Sequence, residues 1–209
     1  MRWPRTLPRE TDAGHPVRRI CVFCGSNVGS RPSYATAARE LAMELGRRQL
    51  GLVYGGGHAG LMGILADAAL ANGVVVTGVI TEQLRILERG HSSLTESRTV
   101  ATMHERKAVM ADMSDGFVAL PGGFGTFEEL CEMITWTQLR VHAKPVVLVN
   151  VEGFFDPLLA QFDRAVEDKL LRPENRKEVI TVATPAEALD QIATWAPHES
   201  GKWFEPPQP

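Results

Sequence analysis

The chain has 209 residues, a length that suits one domain with a full hydrophobic core. Hydrophobic residues make up 44% of the chain and charged residues 22%, which is typical of a soluble globular protein. The net charge of −3 and the pI near 6.1 give no general attraction to nucleic acid or anionic membranes, so neither partner is expected. The first twelve residues carry two prolines and several charges rather than an apolar signal-peptide core, and no later run is long enough to span a bilayer. The sequence therefore predicts a cytoplasmic protein.

Short apolar runs alternate with segments of helical periodicity along the whole chain. Strands are predicted at 19–25, 51–56, 74–80, 116–122, 145–150 and 179–183, and helices at 33–49, 60–72, 103–113, 127–140, 156–168 and 185–195. Continuously apolar strands that alternate with helices are typical of a parallel sheet covered on both faces. The predicted fold class is α/β, a doubly wound, mostly parallel, Rossmann-like sheet with helices on both faces. One catalytic domain is expected at 18–196, between an N-terminal tail at 1–17 and a C-terminal tail at 197–209.

The first predicted strand contains a C-x-x-C pattern at Cys21 and Cys24, which in a cytosolic chain suggests a redox or zinc site. Residues three apart in a strand point to opposite faces of the sheet, however, so the two thiols should not meet. No second ligand pair follows at zinc spacing. A buried structural role is predicted for both and for Cys131, and no metal site is expected.

Glycines collect after three of the predicted strands, in CGSNVGS (24–30), YGGGHAGLMG (54–63) and LPGGFGT (120–126). Ligands of doubly wound folds bind at the carboxyl ends of the strands. A single glycine loop is a weak indication, because glycine also permits a tight strand-to-helix turn with no ligand at all. Three such loops together predict a site for a ligand that carries phosphate.

The middle loop has the G-x-G-x-x-G pattern at Gly55, Gly57 and Gly60, between a strand and a helix as a dinucleotide fingerprint requires. The next predicted strand has no acidic residue at its end to hold an adenosine ribose, since Glu82 comes only after it. NAD and FAD are therefore disfavoured. A sugar phosphate or mononucleotide held between two neighbouring loops is favoured instead.

The segment TMHERK, residues 102–107, carries charges that need an explanation. Thr102 and Glu105 have the spacing of a capping box, which gives Glu105 a structural role. Arg106 and Lys107 fall in the first turn of the predicted helix, where the helix dipole disfavours cations. Arginine offers a rigid fork for phosphate or carboxylate, and lysine a movable charge. Spacing alone leaves two interpretations open: anion ligands, or a solvated pair of surface cations.

The segment PGGFGTFEE, residues 121–129, passes directly from glycines into a helix that starts with two acids. The bare N–H groups at such a helix start attract anions, and carboxylates there would compete with a phosphate. Thr126 and Glu129 also fit a capping box. Glu129 therefore either caps the helix or reaches past the phosphate to act on a group attached to it.

The segments GGGHAGLMG, MHERK and PGGFGTFEE, in this order and spacing, resemble the LOG ("lonely guy") family of cytokinin riboside 5′-monophosphate phosphoribohydrolases. The resemblance runs from about Val17 to about Trp195. It implies hydrolysis of the N-glycosidic bond of a nucleoside 5′-monophosphate, AMP or an N6-prenylated AMP, to a free base and ribose 5-phosphate. It implies no cofactor.

The resemblance also implies roles for individual positions of this chain. Arg106 and Glu129 match the catalytic pair of the family. The loop 81–94 starts with Thr-Glu where many members have Pro-Glu, a departure that concerns base selectivity rather than the reaction. Counting the other two glycine loops, the positions expected around the nucleotide are Ser26, Gly56, Gly57, Glu88, Lys107, Gly123, Phe124, Gly125, Thr126, Phe127, Glu128 and Thr135.

Three other functions are weighed against this one. The first is a general AMP nucleosidase. The second is a protein that resembles molybdenum-cofactor carriers and binds without turnover, which the presence of both Arg106 and Glu129 disfavours. The third is the lysine decarboxylase whose label often attaches to the family. That enzyme would need a Schiff-base lysine and a partner for the pyridinium nitrogen of pyridoxal phosphate, and nothing beyond the isolated Lys107 and Lys144 suggests them.

Apolar side chains on the predicted helices that flank the strand 116–122 indicate self-association. These helices carry Met110, Met133, Trp136 and Leu139, more apolar surface than one sheet face needs. A homodimer or larger homo-oligomer is therefore expected.

Overall fold

The computed structural model describes residues 17–87 and 90–196. Of the two predicted tails, all but Val17 lies outside the described residues, so the domain boundaries stay a prediction. The strands, in chain order, are β1 (Arg19–Phe23), β2 (Gly51–Tyr54), β3 (Val76–Thr81), β4 (Glu96–Val100), β5 (Gly116–Ala119), β6 (Val146–Val149) and β7 (Val179–Val182). The α-helices are α1 (Pro32–Arg47), α2 (Gly60–Ala71), α3 (Glu82–Leu87), α4 (Met103–Asp112), α5 (Phe124–Gln138), α6 (Asp156–Glu167), α7 (Pro173–Arg176) and α8 (Pro185–Thr194), and a short 3₁₀ turn covers Val151–Gly153.

The described strands form one parallel sheet in the order β4-β3-β2-β1-β5-β6-β7. From β1 the chain winds outward through β2, β3 and β4, and then returns to the other side of β1 to add β5, β6 and β7. In doubly wound sheets a ligand crevice opens where the winding reverses, which here is between β1 and β5. The predicted doubly wound α/β fold is confirmed.

Both faces of the sheet are buried along its central strands, as the continuous apolar runs predict. Alternate side chains of β1 enter two separate cores: Ile20 and Val22 pack with α1, α2 and α8, whereas Cys21 and Phe23 pack with α4, α5 and α6. Cys24 belongs to the first of these cores. The two thiols of the C-x-x-C pattern therefore lie on opposite faces, as predicted, and both are free and buried.

The sequence analysis missed the strand β4 and the short helices α3 and α7, and it misplaced the start of one helix. The strand β4 pairs with β3 alone, and its middle side chains are exposed, so no apolar run marks it. The helix α5 begins at Phe124 rather than at 127, because Gly125 belongs to its first turn instead of to the preceding loop. This earlier start places Thr126 inside the helix instead of at its N-cap.

Candidate active site

The three glycine loops meet at the carboxyl ends of the strands, because β2, β1 and β5 are neighbours and run in the same direction. The N–H of Gly25 in the first loop donates to the carbonyl of Pro121 in the third loop at 3.0 Å. The carbonyl of Gly25 accepts from the N–H of Leu61 in the second loop, also at 3.0 Å. The first loop therefore bridges the other two across the crevice between β1 and β5.

The third loop leads to a helix start that is open to an anion. The N-cap of α5 is Gly123, and no side chain caps the helix. The first intrahelical bond runs from the N–H of Phe127 to the carbonyl of Gly123, so the N–H groups of residues 124–126 have no acceptor within the helix. A Cβ atom added at Gly123 or Gly125 would meet no atom within 4 Å. Backbone donors, helix dipole and open space together suit a phosphate group.

The capping box expected for Thr126 and Glu129 is wrong. Thr126 is the third residue of α5 rather than its N-cap, and its buried side chain packs beneath Gly122. A Cβ atom at Gly122 would lie 2.0 Å from Oγ1 of Thr126, so this packing requires the glycine. The expectation that Glu129 caps the helix start therefore has no structural basis.

The second loop supports the first loop instead of presenting the N-terminus of α2 to a ligand. The N–H groups of Leu61 and Met62 at that helix start both donate to the carbonyl of Gly25, at 3.0 and 3.4 Å. Gly60 has a φ of 59° and lies so close to the first loop that a Cβ atom would be 2.3 Å from N of Asn27. Two expected nucleotide positions of this loop, Gly56 and Gly57, are buried. The G-x-G-x-x-G pattern thus has a packing role here, whereas the open amides belong to α5.

Arg106 is the most tightly held side chain of the site. It is only 5% exposed, and its guanidinium donates to three acceptors. The Nε group donates to the carbonyl of Val79 at 2.9 Å, Nη2 to the carbonyl of Gly55 at 3.1 Å, and Nη1 to Oε1 of Glu129 at 3.0 Å. A Cβ atom at Gly55 would lie 2.1 Å from Nη2, so the close approach requires glycine there. A carbonyl within β3 and the carbonyl that follows β2 therefore fix the guanidinium, and the guanidinium fixes Glu129.

The carboxylate of Glu129 lies just over one turn into α5. The residue is 9% exposed and faces Arg106 on α4. The structure thus brings together the two residues that the family resemblance implies as the catalytic pair. A buried carboxylate whose position is set by an arginine fork can stabilise a positive charge that develops next to it.

Lys107 is buried between two carboxylates of α5. Its ammonium contacts Glu128, and it lies 3.0 Å from Oε2 of Glu132. Burial disfavours the charged form, but the hydrogen bonds to both glutamates outweigh that effect and raise the pKa of Lys107. Glu132 was missed by the sequence analysis, although its position four residues after Glu128 places it on the same side of the helix.

The charged segment before α4 has both a structural and a site role. The side chain of Thr102 accepts from the N–H of Glu105 at 3.1 Å, so the predicted cap of α4 is confirmed. Arg106 and Lys107 are 5% and 6% exposed, so the expectation of a solvated pair of surface cations is wrong. Their charges are stabilised by carboxylates of α5 rather than by solvent.

Three of the remaining predicted positions differ in their exposure and packing. Phe124 is the first residue of α5 and is 93% exposed, whereas Phe127 packs against Phe154 and Phe155. Ser26 is exposed in the first loop.

One expected nucleotide position, Thr135, is not brought to the helix start, and for another the structure gives no placement. Thr135 is exposed about two and a half turns beyond Thr126, and its hydroxyl donates to the carbonyl of Cys131 at 2.7 Å. Glu88 lies outside the described residues. The open amides at 124–126, the Arg106–Glu129 pair and the Lys107 pocket therefore make up the described candidate site.

Fold and site together define a Rossmann-like protein of the nucleotide-binding class, with an ion-paired carboxylate on a helix whose N-terminus has no side-chain cap. The family model described as "Possible lysine decarboxylase" matches residues 62–192. A probable cytokinin riboside 5′-monophosphate phosphoribohydrolase of Oryza sativa subsp. japonica is 50% identical over 174 residues, which cover 83% of this chain and 78% of the relative. A cytokinin riboside 5′-monophosphate phosphoribohydrolase of Arabidopsis thaliana is 48% identical over 183 residues, covering 87% and 85%. The chain belongs to this phosphoribohydrolase family, and the resemblance to the LOG family is confirmed.

Solved structures with the same fold include proteins that are named for binding or carrying a cofactor. The molybdenum cofactor binding protein of Rippkaea orientalis aligns with a TM-score of 0.64 at 19% identity, over 86% of this chain and 97% of that chain. The molybdenum cofactor carrier protein of Chlamydomonas reinhardtii aligns with a TM-score of 0.61 at 21% identity, over 84% and 98%. At these identities the likeness supports the fold alone.

Proposed function

We propose that this protein hydrolyses the N-glycosidic bond of a nucleoside 5′-monophosphate, AMP or N6-prenylated AMP, to the free base and ribose 5-phosphate. The observation that carries this proposal is the buried Arg106–Glu129 pair next to the open N-terminus of α5. The names of the relatives at about half identity support the same reaction.

In the proposed reaction the start of α5 binds the phosphate, and Glu129 in the second turn acts on the ribose. The N–H groups of residues 124–126 and the helix dipole hold the 5′-phosphate. Glu129 lies about one turn further, about 5.4 Å along the helix axis. The distance between the 5′-phosphate and C1′ of a nucleotide is similar. Loss of the base leaves an oxocarbenium-like sugar at C1′. The carboxylate of Glu129 stabilises that cation and orients the water that attacks it.

Arg106 acts through Glu129 in this mechanism. Arginine stays protonated in proteins, so it is a poor proton donor to the departing base. Its fork is occupied by two backbone carbonyls and by Glu129, which sets the direction of the carboxylate. Arg106 is therefore a positioning residue in the proposed reaction.

Lys107 supplies a second positive charge that a nucleotide can use. Of its two partners, Glu128 is 54% exposed, whereas Glu132 is more buried. A phosphate or ribose hydroxyl that enters from the open side can replace Glu128, while Glu132 keeps the ammonium in place. This exchange reconciles the buried lysine with the expectation that Lys107 and Glu128 contact the nucleotide.

Separate assays with AMP and with isopentenyladenosine 5′-monophosphate test the proposed function. We expect free base and ribose 5-phosphate to appear in equal amounts, and kcat/KM to be higher for the prenylated substrate. A higher value for AMP would instead favour the general AMP nucleosidase. Binding of both nucleotides without release of base would contradict the enzyme and favour a carrier.

The phosphate site leads to a prediction about the nucleoside. Adenosine should be turned over with a kcat/KM at least ~10²-fold lower than AMP, because binding energy at the phosphate would be missing from the transition state. The measurement compares base release from both compounds at matched concentrations. Equal kcat/KM for adenosine and AMP would show that the amides at the start of α5 hold no phosphate during turnover.

The lysine decarboxylase description is not supported by the lysines near the site. Lys107 is engaged by two carboxylates, and Nζ of Lys144 donates to the carbonyl of Ala111 at 2.7 Å. A Schiff-base lysine needs a free, uncharged amine directed at its cofactor, and neither environment favours that form. The 5′-monophosphate reaction remains our proposal.

We also propose a homodimer or larger assembly, whose interface keeps only part of the set expected from the sequence. Met110 and Met133 belong to the hydrophobic core and Trp136 packs partly buried against it, so an interface role for the two methionines is wrong. The expected Leu139 at the end of α5 is exposed, as are Phe124 at the start of α5 and Met103 at the start of α4. Burying them against a second copy would remove apolar surface that a monomer leaves in water.

The assembly is tested by light scattering at micromolar concentration. The unmodified chain should have the mass of a dimer or larger species, and Leu139→Asp should shift it toward the monomer, because a buried charge opposes the interface. A monomeric unmodified chain would contradict the proposal.

Among the described residues no helix has the length and apolarity to cross a membrane. A cytoplasmic location stays a prediction from the sequence.

A further inference from the structure

Two imidazoles and a carboxylate form a compact cluster that the proposed reaction does not use. His58 lies in the turn before α2, Asp67 within α2, and His91 in the segment between α3 and β4. Their donor atoms all lie within 4.8 Å of one another. Nε2 of His58 is 3.1 Å from Oδ2 of Asp67, and Nε2 of His91 is 2.9 Å from Oδ1.

We propose that this cluster binds a divalent transition-metal ion of the Zn²⁺ type. Two imidazole nitrogens and one carboxylate oxygen are a donor set that suits zinc. Metal–ligand bonds of about 2.0–2.2 Å at tetrahedral angles place neighbouring donors about 3.3 Å apart. The separations of 3.1 and 2.9 Å around Asp67 are close to that value, and the donor atoms of the two imidazoles, which lie within 4.8 Å of each other, need to approach by at most about 1.5 Å. With three protein ligands, the fourth position is left for water.

The backbone holds the ligands in place without an ion. The residue preceding His91 forms a bridge with Gly57, and the N–H of His91 donates to the carbonyl of Gly56 at 3.0 Å. The turn that carries His58 lies against α2 at Gly63, where a Cβ atom would be 2.3 Å from the carbonyl oxygen of His58. The side chain of His91 is buried. The backbone and His91 therefore lose little conformational entropy when an ion binds, whereas the half-exposed side chains of His58 and Asp67 have to be ordered.

One contact opposes the ion and limits its affinity. The N–H of Ser93 donates to Nδ1 of His91 at 3.2 Å, so the proton of a neutral His91 is on Nε2. A metal ion at Nε2 requires that proton to be on Nδ1, which breaks the contact with Ser93. Because Ser93 is exposed, its N–H can donate to water instead. Binding therefore has a cost, and we expect moderate rather than very tight affinity.

A bound ion would fasten three separate segments of the chain. It would tie the segment between α3 and β4 to α2 and to the second glycine loop, whose Gly55 carbonyl holds Arg106. The role that follows is structural, because the ligands lie on loop and helix residues that make no described contact with Arg106 or Glu129. Such an ion would stabilise the loops at the carboxyl ends of the strands, where the nucleotide is proposed to bind.

The untagged full-length protein, stripped of metal by dialysis, is titrated with Zn²⁺ by calorimetry and with Co²⁺ by visible absorption. We expect one ion per chain, the intense visible bands of tetrahedral Co²⁺, and slower hydrogen exchange in residues 90–95 when Zn²⁺ is bound. Asp67→Asn keeps the shape of the side chain but removes its charge, and should weaken binding at least tenfold. His58→Gln should also weaken binding.

His104→Gln is the matched control, because His104 is an exposed histidine of α4 outside the cluster. This variant should bind both ions as the unmodified chain does, and circular dichroism verifies that every variant is folded. The proposal is overturned if the unmodified chain binds no stoichiometric ion. It is equally overturned if Asp67→Asn and His104→Gln bind alike, since the histidines would then act only as separate weak ligands. Neither result depends on the proposed hydrolase activity.

Discussion

The variant Glu129→Gln should have a kcat lower by a factor on the order of 10² or more, with an intact fold that still binds nucleotide. Glutamine has the same shape, and its amide oxygen can still accept from Nη1 of Arg106, so the loss of stability should be about 1–2 kcal/mol. The negative charge opposite the developing sugar cation is lost, however. The measurements are base release from both nucleotides, nucleotide affinity by calorimetry, and thermal unfolding.

Glu105→Gln is a matched control for the same chemical change. The carboxylate of Glu105 accepts from the N–H of Ala101 at 2.9 Å at the start of α4, and a glutamine oxygen can do the same. This variant should keep turnover close to that of the unmodified enzyme. If Glu129→Gln also hydrolyses its substrate at close to the normal rate, the carboxylate is structural and the proposed mechanism fails.

Periodicity in the sequence predicts the central part of this fold because the central strands are buried on both faces. A residue such as Val53 or Val118 has to be apolar whichever face it points to, and the resulting runs are easily recognised. The strand β4 lacks that signal, since it lies at the sheet edge with its middle side chains exposed. The short helix α3 has no buried residue and so lacks the apolar stripe of a longer helix.

The candidate site was predictable in part, because some of its properties depend on local sequence and others on distant contacts. The glycines of the third loop indicate an open helix start. Because glycine is a poor helix former, Gly125 was assigned to the loop, although it is the second residue of α5. Spacing could not decide between ligand and surface cation for Arg106, because its acceptors Val79 and Gly55 lie 27 and 51 residues away in the chain. The family resemblance identified the pair, and burial then explained why an arginine is needed.

The His58, Asp67 and His91 cluster shows the same limit in another way. Metal-site patterns are recognised when ligands are closely spaced on one element. Here the carboxylate is 9 residues from one imidazole and 24 from the other, so no short motif exists. The crossover between β2 and β4 brings the three side chains together, and only the tertiary structure reveals it.

The variant Arg106→Lys should lose at least ~10²-fold in kcat/KM and about 2–4 kcal/mol of stability. Lysine keeps the charge, but a single ammonium cannot reproduce the planar fork that reaches Val79, Gly55 and Glu129 together. Buried acceptors without donors are costly, and an incompletely paired Glu129 is costlier still. Urea unfolding and substrate kinetics measure the two effects. Arg47→Lys is the control, because Arg47 is an exposed partner of Glu44 and such surface pairs contribute little.

A double-variant cycle then separates two roles for Arg106. If the arginine acts by orienting Glu129, adding Arg106→Lys to Glu129→Gln should lower kcat by less than about threefold further, because the group it positions has already lost its charge. If the guanidinium instead neutralises the phosphate directly, the two losses should multiply, and the nucleotide affinity of Arg106→Lys should fall along with kcat. The occupied fork predicts the first outcome, since all three of its nitrogens already donate to protein acceptors. Independent, multiplying losses would show that Arg106 contacts the substrate and that its bonds to Gly55 and Val79 rearrange when the nucleotide binds.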